Sequence, residues 1–136
     1  GLLDEHTYRR YALPAVQRIF RALKGKAPLL YLIKDGAHLF EAMLDSEADG
    51  LSLDWRMPFA ACREAAGDMI IQGNMDPGVL LGSADEVRKA ARAILDANDG
   101  RPGHVFNLGH GLLPQISVEN LQVLRDTVHS YGNAPV

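Results

Sequence analysis

The feature that most constrains this chain is an alternation repeated four times from Leu29 onward: a short apolar run, a polar break, then a stretch with helical spacing. The first run, Leu29-Leu30-Tyr31-Leu32-Ile33, has no polar residue at alternate positions, so it suits a parallel strand covered on both faces. Lys34-Asp35-Gly36 ends it, and Leu39, Phe40, Met43 and Leu44 then share one helical face. Gly50-Leu51-Ser52-Leu53 reads as a second strand stopping at Asp54-Trp55, and residues 58–66 can be helical. Met69-Ile70-Ile71-Gln72 reads as a third strand, followed by a turn-rich loop over residues 73–78. Ser83 stands three residues before Glu86, the spacing at which each side chain satisfies a free backbone N–H at a helix start. That helix runs to about Asn98 with Val87, Ala91, Ile94 and Leu95 as its apolar stripe. Residues 104–108 supply a fourth strand. A last helix starts near Ser117, ends before Tyr131-Gly132, and carries Val118, Leu121, Leu124 and Val128 at core-facing spacing. Upstream, residues 4–23 read as two helical pieces, with Pro14 in the first turn of the second.

Four strands, each followed by a helix, predict an α/β fold with a parallel sheet and right-handed crossovers. The sheet is either a small open one or part of a (β/α)8 TIM barrel. A full barrel takes about 250 residues. At 136 residues this chain has the size of half a barrel plus one preceding helix. Half a barrel leaves backbone groups unpaired at two edges and an apolar interior uncovered, so a partner or further chain is expected. No linker divides the chain, and its 47% hydrophobic residues are enough for one core.

Fourteen basic and 17 acidic residues leave a net charge of −3, which offers no electrostatic footprint for nucleic acid or an anionic membrane. No apolar run approaches the roughly 18 residues that span a bilayer, and Gly1-Leu2-Leu3-Asp4-Glu5-His6 is not a signal sequence. The single cysteine, Cys62, cannot form an internal disulfide, which points to a reducing cytoplasm. An opening on Gly-Leu-Leu, without methionine, suits an internal fragment.

Active groups on parallel α/β folds gather at the carboxyl ends of strands. Four places qualify: Lys34-Asp35, Asp54-Trp55, Asn74-Met75-Asp76 and Gly109-His110-Gly111. Each has a local reading beside the functional one. Lys34 and Asp35 can form a solvated turn, and Asp54 can cap a helix near Pro58 or line a pocket. Asn74 and Asp76 can bond nearby backbone before Pro77. His110, between two glycines just after a strand, is more informative, because the backbone there can turn sharply and approach a ligand, and an imidazole can bind or protonate an anion. Phosphate binding by such a loop is a rival. His6, His38, His104 and His129 have no zinc-pair spacing, and Ser52 lacks a hydrolase elbow. Cys62, among alanines, suits a small buried residue, and Trp55 packing at a strand end.

Gln72-Gly73-Asn74-Met75-Asp76-Pro77 and the stretch Gly103-His104-Val105-Phe106-Asn107-Leu108-Gly109-His110-Gly111 closely resemble the carboxyl-terminal motifs of uroporphyrinogen decarboxylases. The resemblance extends over essentially all 136 residues but not over the whole family domain. It implies that residues 1–136 are the carboxyl-terminal part of a TIM barrel that dimerises, uses no cofactor or metal, and belongs to porphyrin (haem) biosynthesis. The implied reaction removes the four acetate carboxyl groups of uroporphyrinogen III, a polycarboxylate tetrapyrrole, to give coproporphyrinogen III. It also implies that His110 binds substrate, with Gly109 and Gly111 shaping its loop and Asp54, Asn74 and Asp76 as rim candidates. The family's pyrrole-binding aspartate, arginine-bearing loop and tyrosine belong upstream of Gly1, and its cleft serine just before it. Pro114-Gln115-Ile116-Ser117 departs from the family's Pro-x-Thr-Pro. On this expectation the isolated chain is inactive, a half-barrel that can assemble with a copy of itself. The corrinoid and thiol methyltransferases of the same fold family carry zinc thiolates where this chain reads Ile33-Lys34-Asp35 and His110, so that alternative is the weaker one.

Overall fold

Strands β1 (Leu30–Leu32), β2 (Gly50–Ser52), β3 (Ile70–Gln72) and β4 (His104–Val105) lie side by side in that order, all parallel, in a computed structural model that describes residues 2–132. A doubly wound sheet reverses its strand order at a switch point, whereas consecutive units of a barrel do not. The unbroken order therefore favours the barrel arrangement, four successive units of a (β/α)8 fold.

The register aligns Tyr31, Leu51, Ile71 and His104 on one face of the sheet and Leu32, Ser52, Gln72 and Val105 on the other. The first face is covered. Leu51, Leu53 and Ile71 are fully buried against Phe40 and Met43 of α3 (Phe40–Leu44) and Phe59 and Cys62 of α4 (Phe59–Ala65). Each such aliphatic side chain contributes about 1.5–3 kcal/mol relative to leaving it in water. The second face is open, and Leu30, Leu32 and Val105 are 41%, 51% and 46% exposed. The continuous apolar run of residues 29–33, which predicted a strand covered on both faces, thus has a cover on one face only among the described residues.

Helix α5 (Ala84–Asn98) begins with the expected reciprocal cap: the Glu86 N–H donates to Ser83 Oγ, and Glu86 Oε2 accepts from the Ser83 N–H at 2.7 Å. Its Val87 and Ala91 join Met75 and Leu80 in a second buried cluster, against which Leu121 and Leu124 of α6 (Val118–Ser130) pack. Val118, expected in the core stripe, is 63% exposed. It is the first residue of α6, beyond the cluster, and the buried residue of that helix is Thr127, whose hydroxyl donates to the Val123 carbonyl at 2.7 Å.

Two further expectations are corrected. The two amino-terminal helical pieces are continuous: α1 (Glu5–Thr7) passes through a π-helical segment, Tyr8–Ala12, into α2 (Leu13–Leu23). Pro14 lacks an N–H for the usual i→i−4 bond, and beside it the Leu13 N–H reaches back five residues to the Tyr8 carbonyl. The fourth strand is shorter than residues 104–108, since β4 stops at Val105. Pairing nevertheless persists beyond it, with Met75 N–H donating to the Asn107 carbonyl and Gly109 N–H to the Met75 carbonyl. The chain after β4 is thereby carried in register to the rim.

Candidate functional site

The loop bearing His110 is held on two sides. On one, Gly109 N–H donates to the Met75 carbonyl at 2.9 Å beyond β3. On the other it lies flat against the chain after β2, where a Cβ on Gly109 would stand 2.2 Å from the Trp55 nitrogen. No side chain fits there, so the glycine is required by the close approach of two backbones. A Cβ on Gly111 would meet nothing within 4 Å. Within the chain, Gly109 makes room for Trp55 and a side chain at Gly111 would meet no other residue, and both glycines line the cavity beside His110.

His110 is exposed and makes no hydrogen bond, ion pair or ring contact among the described residues. It lines a cavity of about 550 Å³ together with Lys34 from the end of β1, Leu32, Ser52 and Gln72 from the open sheet face, and Asn107. Gln72 Nε2 donates to Ser52 Oγ at 3.1 Å, making a polar pair on an otherwise apolar floor. The ionisable lining residues are Lys34 and His110, and no carboxylate is among them. A concave site with an apolar floor, amide and hydroxyl groups, a lysine, an imidazole and no carboxylate is suited to an anionic ligand with an apolar body.

The other rim candidates do not reach this cavity. Asp54 is 1% exposed, and its carboxylate accepts the N–H of Asp35 at 3.0 Å and of Arg56 at 2.9 Å, and the Arg56 guanidinium at 3.1 Å. Burial alone would raise its pKa, but these donors outweigh burial and hold the carboxyl below its ordinary value. Asn74, also buried, donates to the carbonyls of Asp54 and Met57 at 3.0 and 2.7 Å. Asp76 caps the 3₁₀ turn Pro77–Leu81 by accepting the Gly78 N–H at 2.7 Å. All three carry out the local bonding that their residue types favour.

Sequence reasoning passed over Arg56 and treated Lys34 and Asp35 as one polar turn. Arg56 bridges Asp54 and Asp35, 2.8 Å from the latter, and its guanidinium stacks 4.3 Å over the Trp55 ring. Its place directly after a strand-end Asp-Trp was the available signal. Lys34 parts from Asp35, which adopts φ 56° and turns to Arg56 while Lys34 lines the cavity. No pattern in the sequence separates these two neighbours.

The remaining candidates are structural. His104 sits between Phe59 and Phe106 with Nε2 2.9 Å from the Gly73 carbonyl oxygen, and burial lowers its pKa. His38 bonds the Leu3 carbonyl at 2.8 Å. Burial pushes the Cys62 thiol up to about 11, so it is no ready nucleophile. Among the described residues no three His, Cys, Asp or Glu side chains converge to hold a metal ion.

The family model for uroporphyrinogen decarboxylase matches residues 1–131. The chain belongs to the uroporphyrinogen decarboxylase family. It is 40% identical over 131 residues to a uroporphyrinogen decarboxylase of Syntrophotalea carbinolica, with 95% of this chain and 38% of that one covered. A uroporphyrinogen decarboxylase of Koribacter versatilis is 39% identical over 136 residues, with 98% and 39% covered. This member of the family thus spans about 38% of the length of the relatives it matches. A methyltransferase from Methanosarcina mazei shares the fold, with a TM-score of 0.80 at 18% identity over 96% of this chain and 38% of that one.

Proposed function

We propose that this chain is the carboxyl-terminal part of a cofactor-independent uroporphyrinogen decarboxylase, in which His110 contacts a substrate carboxylate. In the proposed reaction a pyrrole carbon takes up a proton, making the ring an electron sink. The bond to the acetate carboxyl group then breaks, carbon dioxide leaves, and the electron pair forms an exocyclic carbon–carbon double bond that neutralises the protonated ring, whose aromaticity returns in the last step. Protonation of the exposed methylene carbon and loss of the ring proton leave a methyl group. Charge stabilisation at the ring is assigned to residues that the resemblance places outside these 136 positions, so the chain on its own is expected to give no turnover.

The observation that carries this reading is His110, held by the Gly109 clamp at a cavity without carboxylates. Leu30 and Leu32 on β1 and Val105 on β4 add exposed apolar side chains at the two edges of the same sheet face, of the kind a macrocycle covers. The uncovered sheet face also suits the remainder of a barrel, and a homo-oligomer is proposed for the complete enzyme. No helix among the described residues is long and apolar enough to cross a membrane, and we place the enzyme in the cytoplasm. The test is incubation of the complete polypeptide carrying this segment with uroporphyrinogen III, followed by oxidation and chromatography of the porphyrins. Coproporphyrin should accumulate without added cofactor, and recovery of unchanged uroporphyrin alone would refute the assignment.

A further inference from the structure

We propose that Lys34 is a second carboxylate-binding residue of this site, taking a carboxylate of the substrate other than the one met by His110. This rests on the reading of the substrate as a polycarboxylate tetrapyrrole. Lys34 follows β1 and His110 follows β4, and both line one cavity. β1 and β4 are the outer strands of a four-stranded sheet, so three inter-strand spacings, roughly 14 Å along the sheet, separate their ends. Two side chains that enter the cavity from opposite edges of the sheet can each meet a carboxylate on a different ring of one tetrapyrrole.

The charges near the rim support Lys34 over the other cation there. Arg56 is occupied by Asp54 and Asp35 and does not line the cavity. By engaging Asp35, it also removes the carboxylate adjacent to Lys34 in the chain. Lys34 itself is exposed, has no ion pair among the described residues, and shares the cavity with no acidic group. An ammonium group in that position attracts an anion over a range set by ionic strength.

The test uses steady-state kinetics of the complete polypeptide with uroporphyrinogen at two ionic strengths. Lys34→Met should raise KM roughly three- to ten-fold with little change in kcat, as loss of a charge-assisted contact made equally in the ground and transition states requires. Lys34→Arg should restore most of the affinity. The gap between wild type and Lys34→Met should narrow as salt rises. In the double variant with His110→Gln the fold-changes in KM should multiply, as for separate contacts. A wild-type KM for Lys34→Met, or equal impairment of the Met and Arg variants, would overturn the role of Lys34 while leaving the decarboxylase reading intact. Strongly non-multiplicative effects would show a shared carboxylate and overturn the two-carboxylate form. Failure of the wild type to consume uroporphyrinogen would overturn both readings.

Discussion

The loops after β2 and β4 meet at Gly109 and Trp55, yet they use their polar residues in opposite ways. After β2, Asp54 is sealed from solvent and its oxygens are taken by two backbone N–H groups and a guanidinium. After β4, His110 is exposed and has no partner among the described residues. Both stand at the carboxyl end of a strand, where a sequence reader places function. The contrast teaches that position nominates a residue and unspent hydrogen-bonding capacity distinguishes the candidate for binding from the brace. Asp54 anchors the rim, and His110 remains available to a ligand.

The strongest challenge to this contrast is a methyl group at the meeting point. Gly109→Ala should destabilise the protein by about 3 kcal/mol, the upper end for overpacking, because the clash is with backbone that cannot rotate away. Gly111→Ala should change stability by less than about 0.5 kcal/mol. Urea denaturation of the pair measures both, and equal midpoints would dissolve the clamp.

Asp54→Ala comes next, at about 2 kcal/mol, since it strands the N–H groups of Asp35 and Arg56 and leaves Arg56 with only Asp35. The wild-type carboxyl has a lowered pKa in the fold, so its contribution is fully present above its ordinary value of 3.8 and is lost as pH falls through the folded value. Denaturant midpoints between pH 5 and pH 2.5 should therefore fall more steeply for wild type than for Asp54→Ala.

His104 sharpens the comparison with His110 on a smaller scale. Its pKa is lowered in the fold, first by burial, so its contribution is complete above its ordinary value of 6.5 and declines as pH drops below that. Replacing His104 by Phe should flatten this decline between pH 7.5 and 5.5 in thermal melts, at the cost of the bond to the Gly73 carbonyl. The smallest effect on stability belongs to His110→Ala, within about 0.5 kcal/mol, because nothing in the fold depends on it. The same substitution should weaken decarboxylation by the complete enzyme without abolishing it. Unchanged kinetics would remove His110 from the site.

Much of the architecture is legible in the chain because it depends on local rules. The Ser83–Glu86 cap, the ends of α5 and α6, and the starts of all four strands follow from side-chain chemistry within a few residues. The motif around His110 is legible too. What escaped reading depends on groups brought together from afar. The apolar runs do not disclose that Leu32 and Val105 face an open side, and Lys34-Asp35 looks like one polar turn until Arg56 draws the aspartate away. Val118 fits a helical stripe whose neighbours end before reaching it.

By itself, then, the sequence determined the β/α alternation, the helix caps and the glycine-histidine signature, since each is a matter of spacing along the chain. Only the tertiary structure decided which strand-end residues are braced and which are free. Asp54, Asn74 and Asp76 have their polar atoms bonded within the fold, whereas Lys34 and His110 do not. The reason is physical: a hydrogen bond or ion pair across the rim depends on where other strands deliver their ends, and the sheet's register, not the local sequence, sets that.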